Sequence, residues 1–139
     1  MVPLPLKSEL QPEETVPIKR EEARHQARLV ACLRRYWSQI ADRHRCPVIF
    51  HIANGGSRDA REASNLKVQG VLAGVPDLCI VMPFNQVIWI EMKAKSGKVS
   101  ISQTDLHAHF AALGHTVITA YSAEEALDRL KEVVHGTTD

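Results

Sequence analysis

The chain has 139 residues, 45% hydrophobic and 24% charged, a composition ordinary for one globular domain with a sizeable core. Its net charge of +1 argues against indiscriminate nucleic-acid binding, and no apolar run approaches the length of a membrane span. The start, Met1-Val2-Pro3-Leu4-Pro5-Leu6-Lys7, lacks the basic and apolar regions of a secretory signal. Cys32, Cys46 and Cys79 show no Cys-x-x-Cys spacing, which argues against a structural zinc site or disulfide framework and for core filler. A cytosolic protein is expected.

Residues 1–17 carry Pro3, Pro5, Pro12 and Pro17 without periodicity and read as an extended or mobile arm ahead of a single domain over residues 18–139. A helix is predicted from about Lys19 to Arg43, because Leu29, Val30, Leu33, Tyr36, Trp37 and Ile40 recur at helical spacing. Extending this stripe backward reaches Gln26 and Glu22 and leaves Arg24, Arg28 and Arg35 elsewhere. Glu22 there either favours the helix dipole or is an acid aimed at a site. Between Ile18 and Arg45, eight bases (Lys19, Arg20, Arg24, Arg28, Arg34, Arg35, Arg43 and Arg45) outweigh Glu21, Glu22 and Asp42, whereas acids exceed bases after Pro76. A basic helix of this kind is either a solvated face or a surface for a phosphate backbone.

Pro47 to Ile52 reads as a strand, and Asn54-Gly55-Gly56-Ser57-Arg58 as a turn. Ala60 to Gly70 is a short helix or an ordered loop. Asp77 to Met82 and Gln86 to Lys93 form a hairpin around Pro83-Phe84-Asn85. Ser100 with Gln103 is a capping box opening a helix that ends at Gly114. Thr116 to Ala120 is a strand, and Ser122 with Glu125 opens a last helix ending at Gly136. The order is α-β-(α)-β-β-α-β-α.

Asp77 and Glu91 are separated by thirteen residues, and Glu91-Met92-Lys93 closes the apolar run Val87-Ile88-Trp89-Ile90. Side chains alternate along a strand, so Glu91 and Lys93 share a face. The hairpin brings Asp77 beside Glu91. Two adjacent carboxylates repel each other and suit a hard divalent cation, and a neighbouring lysine can orient water or phosphate. Charged residues on exposed strands produce such spacing often. Here the flanking runs, Leu78-Cys79-Ile80-Val81-Met82 and Val87 to Ile90, suggest strands covered on both faces, where charge is costly unless paired or metal-bound.

The ordered set Gly74-Val75-Pro76-Asp77-Leu78, Ile90-Glu91-Met92-Lys93, Ser102-Gln103 and Gly114-His115-Thr116-Val117, with Asn54-Gly55-Gly56 and Glu22-x-x-x-Gln26 upstream, resembles the VRR-NUC branch of the PD-(D/E)xK nuclease superfamily. The upstream motifs also look like those of its small stand-alone phage and bacterial members, and the resemblance spans roughly residues 20–135. It implies an α/β, restriction-endonuclease-like αβββαβ core, a mixed central sheet flanked by helices. It further implies that Asp77, Glu91 and the Met92 carbonyl hold Mg²⁺, with Mn²⁺ able to substitute, and that Glu22 supplies a first-helix acid, directly or through water. Glu21 competes with Glu22 for the place of first-helix acid. Lys93 would position or help deprotonate the attacking water, and Gln103 would support the site or contact phosphate. The implied products carry 5′-phosphate and 3′-hydroxyl ends.

The expected activity is therefore a Mg²⁺-dependent DNA endonuclease in a bacterial or phage-infected cytoplasm. By analogy with stand-alone members it would be a homodimer and could resolve Holliday junctions or branched DNA, without membrane or organic cofactor. The competing readings are a non-catalytic nucleic-acid-binding module and a protein-interaction subunit, using the proline-rich arm or the last helix. Arg58, Lys67, Lys95 and Lys98 are candidate phosphate contacts, as is Arg61, although solvated basic turns are commoner. The seven histidines form no ligand pattern; His107 and His109 diverge on their helix. Trp37 and Trp89 read as core.

Overall fold

The computed structural model describes residues 2–40, 42–53 and 59–136. Eight regular elements follow the predicted order: α1 (Glu21–Ser38), β1 (Val48–His51), α2 (Ala60–Val68), β2 (Leu78–Val81), β3 (Val87–Met92), α3 (Ile101–Ala112), β4 (Thr116–Ala120) and α4 (Ala123–His135). The strands form one sheet in the order β1-β2-β3-β4. The first three pair antiparallel and β4 joins β3 in parallel. This is the mixed, helix-flanked αβββαβ core expected from the sequence. The parallel pair is possible because α3 supplies the crossover.

Register sorts the two faces. Leu78 pairs with Ile90 and Ile80 with Ile88; Ile90 pairs with Ile118 and Met92 with Ala120. These residues are buried in one cluster with Leu29, Leu33 and Trp37 of α1 and Ala123, Ala126, Leu127 and Leu130 of α4. A fully buried aliphatic side chain of this kind contributes roughly 1.5–3 kcal/mol. By alternation, Cys79, Trp89 and Glu91 occupy the opposite face, where Phe110 of α3 stacks on Trp89.

The helix ends obey local rules. Ser100 and Gln103 form the expected capping box at α3, Ser122 accepts from the Glu125 N–H at α4, and Asp59 caps α2. α1 is shorter than predicted, ending at Ser38, with Arg43–Arg45 forming a separate 3₁₀ turn. The returning loop closes the helix end, because the Cys46 thiol donates to the Trp37 carbonyl. Cys32 and Cys79 are buried and free, as core filler would be. The β2–β3 turn places Phe84 and Asn85 at φ 62° and 61°.

Two features of α1 were not evident from its apolar stripe. Arg28, expected away from the protein side, is 4% exposed because α1 packs against α4 and the N-terminal segment as well as the sheet. Its guanidinium donates to both Glu124 oxygens at 3.0 and 2.7 Å and to the Gln11 carbonyl at 2.7 Å. Residues 2–17 include two short 3₁₀ turns, Lys7–Glu9 and Glu13–Thr15, and lie against the domain. Trp37 Nε1 donates to the Pro3 carbonyl, His135 bonds the Val2 carbonyl, and Pro5 and Leu10 are buried.

Candidate metal and phosphodiester site

Pro76-Asp77 enters β2 from a loop with little room around it. Gly74 has φ +92°, and a Cβ there would stand 2.7 Å from the Ser102 carbonyl oxygen and 3.2 Å from the Gln103 nitrogen. Only glycine lets this loop lie against the first turn of α3 without strain. The same contact brings Asp77 toward Gln103. On its other side the Asp77 carbonyl accepts from Ile52 N–H at 2.7 Å and from His51 Nδ1 at 2.8 Å, so β1 also fixes its backbone.

The side chains then interlock. The Asp77 N–H donates to Glu91 Oε1 at 3.2 Å, and the Met92 N–H donates to Asp77 Oδ2 at 3.1 Å. Gln103 Nε2 donates to Glu91 Oε2 at 2.7 Å. Lys93 Nζ lies 3.3 Å from that same oxygen. The Lys93 N–H extends the parallel ladder to the Ala120 carbonyl at 2.9 Å, which holds the strand straight through the triplet. Three of the five residues singled out for catalysis, Asp77, Lys93 and Gln103, therefore converge on the carboxylate of a fourth, Glu91.

Electrostatics make this arrangement costly without a further cation. Glu91 is 3% exposed. Burial, then the neighbouring Asp77 charge, push its pKa up to about 7, against opposing contributions from Lys93 and the Asp77 N–H. Lys93 pairs with Glu91 and Asp77 adds a second carboxylate beside it, and the excess negative charge suits a hard divalent cation. Asp77 and Glu91 are hard oxygen donors of the kind Mg²⁺ or Mn²⁺ takes, and Met92, whose N–H bonds Asp77 Oδ2, is the expected source of a carbonyl ligand. Among the described residues, no group of three His, Cys, Asp or Glu is positioned to hold a metal; the fit rests on two carboxylates and a carbonyl.

The first-helix acids sit at the edge of this cluster. Glu22, the expected member, bonds Arg20. Its pKa is lowered by its hydrogen bonds to backbone and Arg20 against burial, with smaller help from the charges of Arg20 and Lys93. Glu21, the competitor, accepts from the Lys95 N–H at 3.3 Å and so ties α1 to the exit of β3. Lys67, Lys95 and Lys98 are exposed, and Arg61 is exposed at the start of α2. Arg58 and the Asn54-Gly55-Gly56 turn lie outside the described residues.

Three contributors were not given roles by the sequence: Gly74, His51 and His107. His107 is one turn beyond Gln103 on α3, so helical spacing from Gln103 would have found it. Burial, and to a lesser degree Lys93, lower its pKa, while Asp77 opposes. Trp89 is half-buried, stacks on Phe110 at 4.8 Å, and donates to His115 Nδ1 at 3.0 Å. A separate, apolar groove bordered by Pro3, Ile40, Val48, Met82 and Phe84 is remote from the carboxylates, at the other end of β2, and brings no acid pair together.

Comparison with known proteins agrees with this architecture. The family model of the VRR-NUC domain matches residues 8–124. A solved "VRR_NUC domain protein" superposes with a TM-score of 0.65 at 19% identity, covering 88% of this chain and 98% of that one. A second, titled "VRR_NUC domain", gives 0.53 at 19% identity, with 84% and 99% covered. A search of the curated proteins finds no match. At such identity the solved structures speak for the fold, and the family match extends over most of the sequence. With a nuclease-type fold and a domain model matched over residues 8–124, the chain belongs to the VRR-NUC family.

Proposed function

We propose that this protein is a Mg²⁺-dependent endonuclease that hydrolyses phosphodiester bonds in DNA. The observation that carries the reading is the convergence of Asp77, Lys93 and Gln103 on the buried Glu91 carboxylate. Asp77, Glu91 and the Met92 carbonyl would hold the metal, with Glu22 or Glu21 reaching it through water. The bound metal would stabilise charge in the in-line transition state and lower the pKa of a coordinated water. Lys93, paired with Glu91, would neutralise charge developing on a non-bridging phosphate oxygen. Gln103 fixes the Glu91 rotamer, so both carboxylate oxygens keep their direction when the site loads. The product ends would be 5′-phosphate and 3′-hydroxyl.

The exposed Lys95 and Lys98 border the same strand end, and with Lys67 they are the proposed backbone contacts. A domain this small offers limited surface to duplex DNA. A homodimer with two sites, cutting branched or four-way-junction DNA in a bacterial or phage-infected cytoplasm, is the specific form of the proposal. Among the described residues, no helix is long and apolar enough to cross a membrane.

The test is a substrate panel of single-stranded, duplex, flap and four-way-junction DNA with Mg²⁺ or Mn²⁺, with end-group analysis of the products and light scattering of the protein. Metal-dependent cuts with 5′-phosphate ends support the reading. DNA binding without cleavage under every metal condition would replace it with a binding module.

A further inference from the structure

Strand register sets a row of apolar side chains one step from the acid pair. Phe50 pairs with Cys79, Cys79 with Trp89, and Trp89 with Val117. The next row on the same face starts at Ile52, whose N–H bonds the Asp77 carbonyl. It continues through Asp77, whose N–H bonds Glu91, to Glu91 and its partner Thr119. Side chains two apart on a strand share a face and stand about 6.5 Å from each other, close to one nucleotide step of an extended strand. The Trp89 end of the apolar row is covered, because Phe110 of α3 stacks there. The Phe50 end is open: Phe50 is 38% exposed, and Val48 and Val81, next on the same face, are exposed as well.

A cation stands beside this open end. Arg34 of α1 reaches the edge of the sheet, where its Nη2 donates to the Ile49 carbonyl at 3.0 Å, one peptide from Phe50. Among the described residues no carboxylate pairs with it, and the shallow cleft at its side, bordered by Trp37, Ser38, Pro47 and Val48, contains no acid. An aromatic ring next to an unneutralised guanidinium matches a nucleobase and its phosphate. Pairing the β1 edge with its own copy would instead bring two Arg34 side chains together, which like charge disfavours. Resting on the nuclease reading above, we propose that Phe50 and Arg34 form a subsite for an unpaired nucleotide beside the cut, with Phe50 stacking on the base and Arg34 holding the neighbouring phosphate.

The subsite names a substrate class. In continuous duplex each base is stacked between its neighbours and presents only its edges to a protein. A strand that leaves its partner, as at a flap or an opened branch point, exposes the whole face of a base. The substrate is therefore DNA whose cleaved strand is unpaired on one side of the cut. Sequence matters little to this contact, because every base has a face to stack. The row offers no free polar group to read a base edge: Cys79 is buried, and Trp89 gives its N–H to His115.

The experiment compares the full-length wild type with Phe50→Leu, Phe50→Trp and Arg34→Gln. Cleavage kinetics are measured on a flap and on a continuous duplex of the same sequence. Binding is measured with Ca²⁺ to the same flap carrying 2-aminopurine on either side of the cut, and light scattering gives each protein's mass. The wild type should favour the flap and quench 2-aminopurine at one flanking position. Phe50→Leu should lose the quench, raise KM on the flap about tenfold and narrow the flap-over-duplex ratio of kcat/KM by the same factor. Phe50→Trp should restore the quench and the KM. Arg34→Gln, whose amide can keep the bond to the Ile49 carbonyl, should weaken flap binding and lower its salt slope by about 0.7. A quench that survives Phe50→Leu, equal losses on flap and duplex, or a flap KM unchanged in Phe50→Leu would overturn the subsite. Conversion of a dimer to a monomer by Phe50→Leu, with the quench intact, would assign this face to a second copy instead. A wild type that cleaves nothing would remove the nuclease reading, and the quench alone would then decide the subsite.

Discussion

Glu91→Gln separates the cost of the site from its use. In the metal-free protein the Glu91 pKa rises from 4.5 to about 7, which corresponds to about 3 kcal/mol against the ionised folded state. The raised value means that the folded chain holds the proton more tightly than the unfolded one. The stabilisation from that proton is complete below pH 4.5 and is lost as pH rises through about 7,. Glutamine cannot ionise and escapes this loss. Its amide also replaces an acceptor oxygen where the Asp77 N–H, Lys93 and Gln103 all donate, so about 1–2 kcal/mol of the gain should survive. For a domain of this size that is a rise of roughly 3–6 °C in Tm. Calorimetric melts in EDTA should show Glu91→Gln above the wild type at pH 8.5, with the gap closing toward pH 5. Saturating Mg²⁺ at pH 8.5 should raise the wild-type Tm and leave the variant unchanged, since only the former gains by binding. A gap independent of pH, or a variant that melts below the wild type at pH 8.5, would refute the claim that Glu91 sits in a strained carboxylate pair.

Gly74→Ala forces both a positive φ and a 2.7 Å clash with the Ser102 carbonyl, and should cost about 2–4 kcal/mol in denaturant melts, with impaired cleavage because Gln103 is displaced from Glu91. Arg28→Ala removes the bonds to Glu124 and Gln11 and should cost about 2–3 kcal/mol, less than a fully buried pair because the Glu124 side chain is 45% exposed,. The folded Glu124 pKa is held low by Arg28, so its contribution is present above the ordinary carboxylate range and lost as pH falls below it. Wild type and Arg28→Ala should therefore converge in stability in acid, as pH-dependent urea titrations would show. Lys93→Ala takes away a charge that lowers the Glu91 pKa, so Mn²⁺ affinity at pH 6.5 should fall relative to pH 8.5 more steeply than in the wild type; parallel pH profiles would argue against the pairing.

How much of this was legible depended on whether the information was local. Strand alternation put Glu91 and Lys93 on one face, the hairpin brought Asp77 beside them, and the capping box started α3 so that Gln103 stands in its first turn. Each rule acts over a few residues. Arg28 escaped because α1 buries a second face, and nothing in an apolar stripe reports a guanidinium matched to an acid on α4. The contacts of Trp37 with the Pro3 carbonyl and of Arg28 with the Gln11 carbonyl join side chains to distant backbone, which no periodicity encodes. His107 escaped because the inward stripe of α3 mixes Gln103, His107 and Phe110, so hydrophobicity alone does not mark the face. Gly74 carried a hint in its motif, but its role needed the packed backbone of Ser102.

The most direct test of the central claim is DNA strand cleavage by wild type, Asp77→Ala and Lys93→Ala, each with Mg²⁺, with Mn²⁺ and with EDTA. The account predicts cleavage by the wild type alone, in either metal and not in EDTA, with both variants folded and at least 10²-fold slower. Cleavage that survives EDTA, or that proceeds at wild-type rate in either variant, would contradict it.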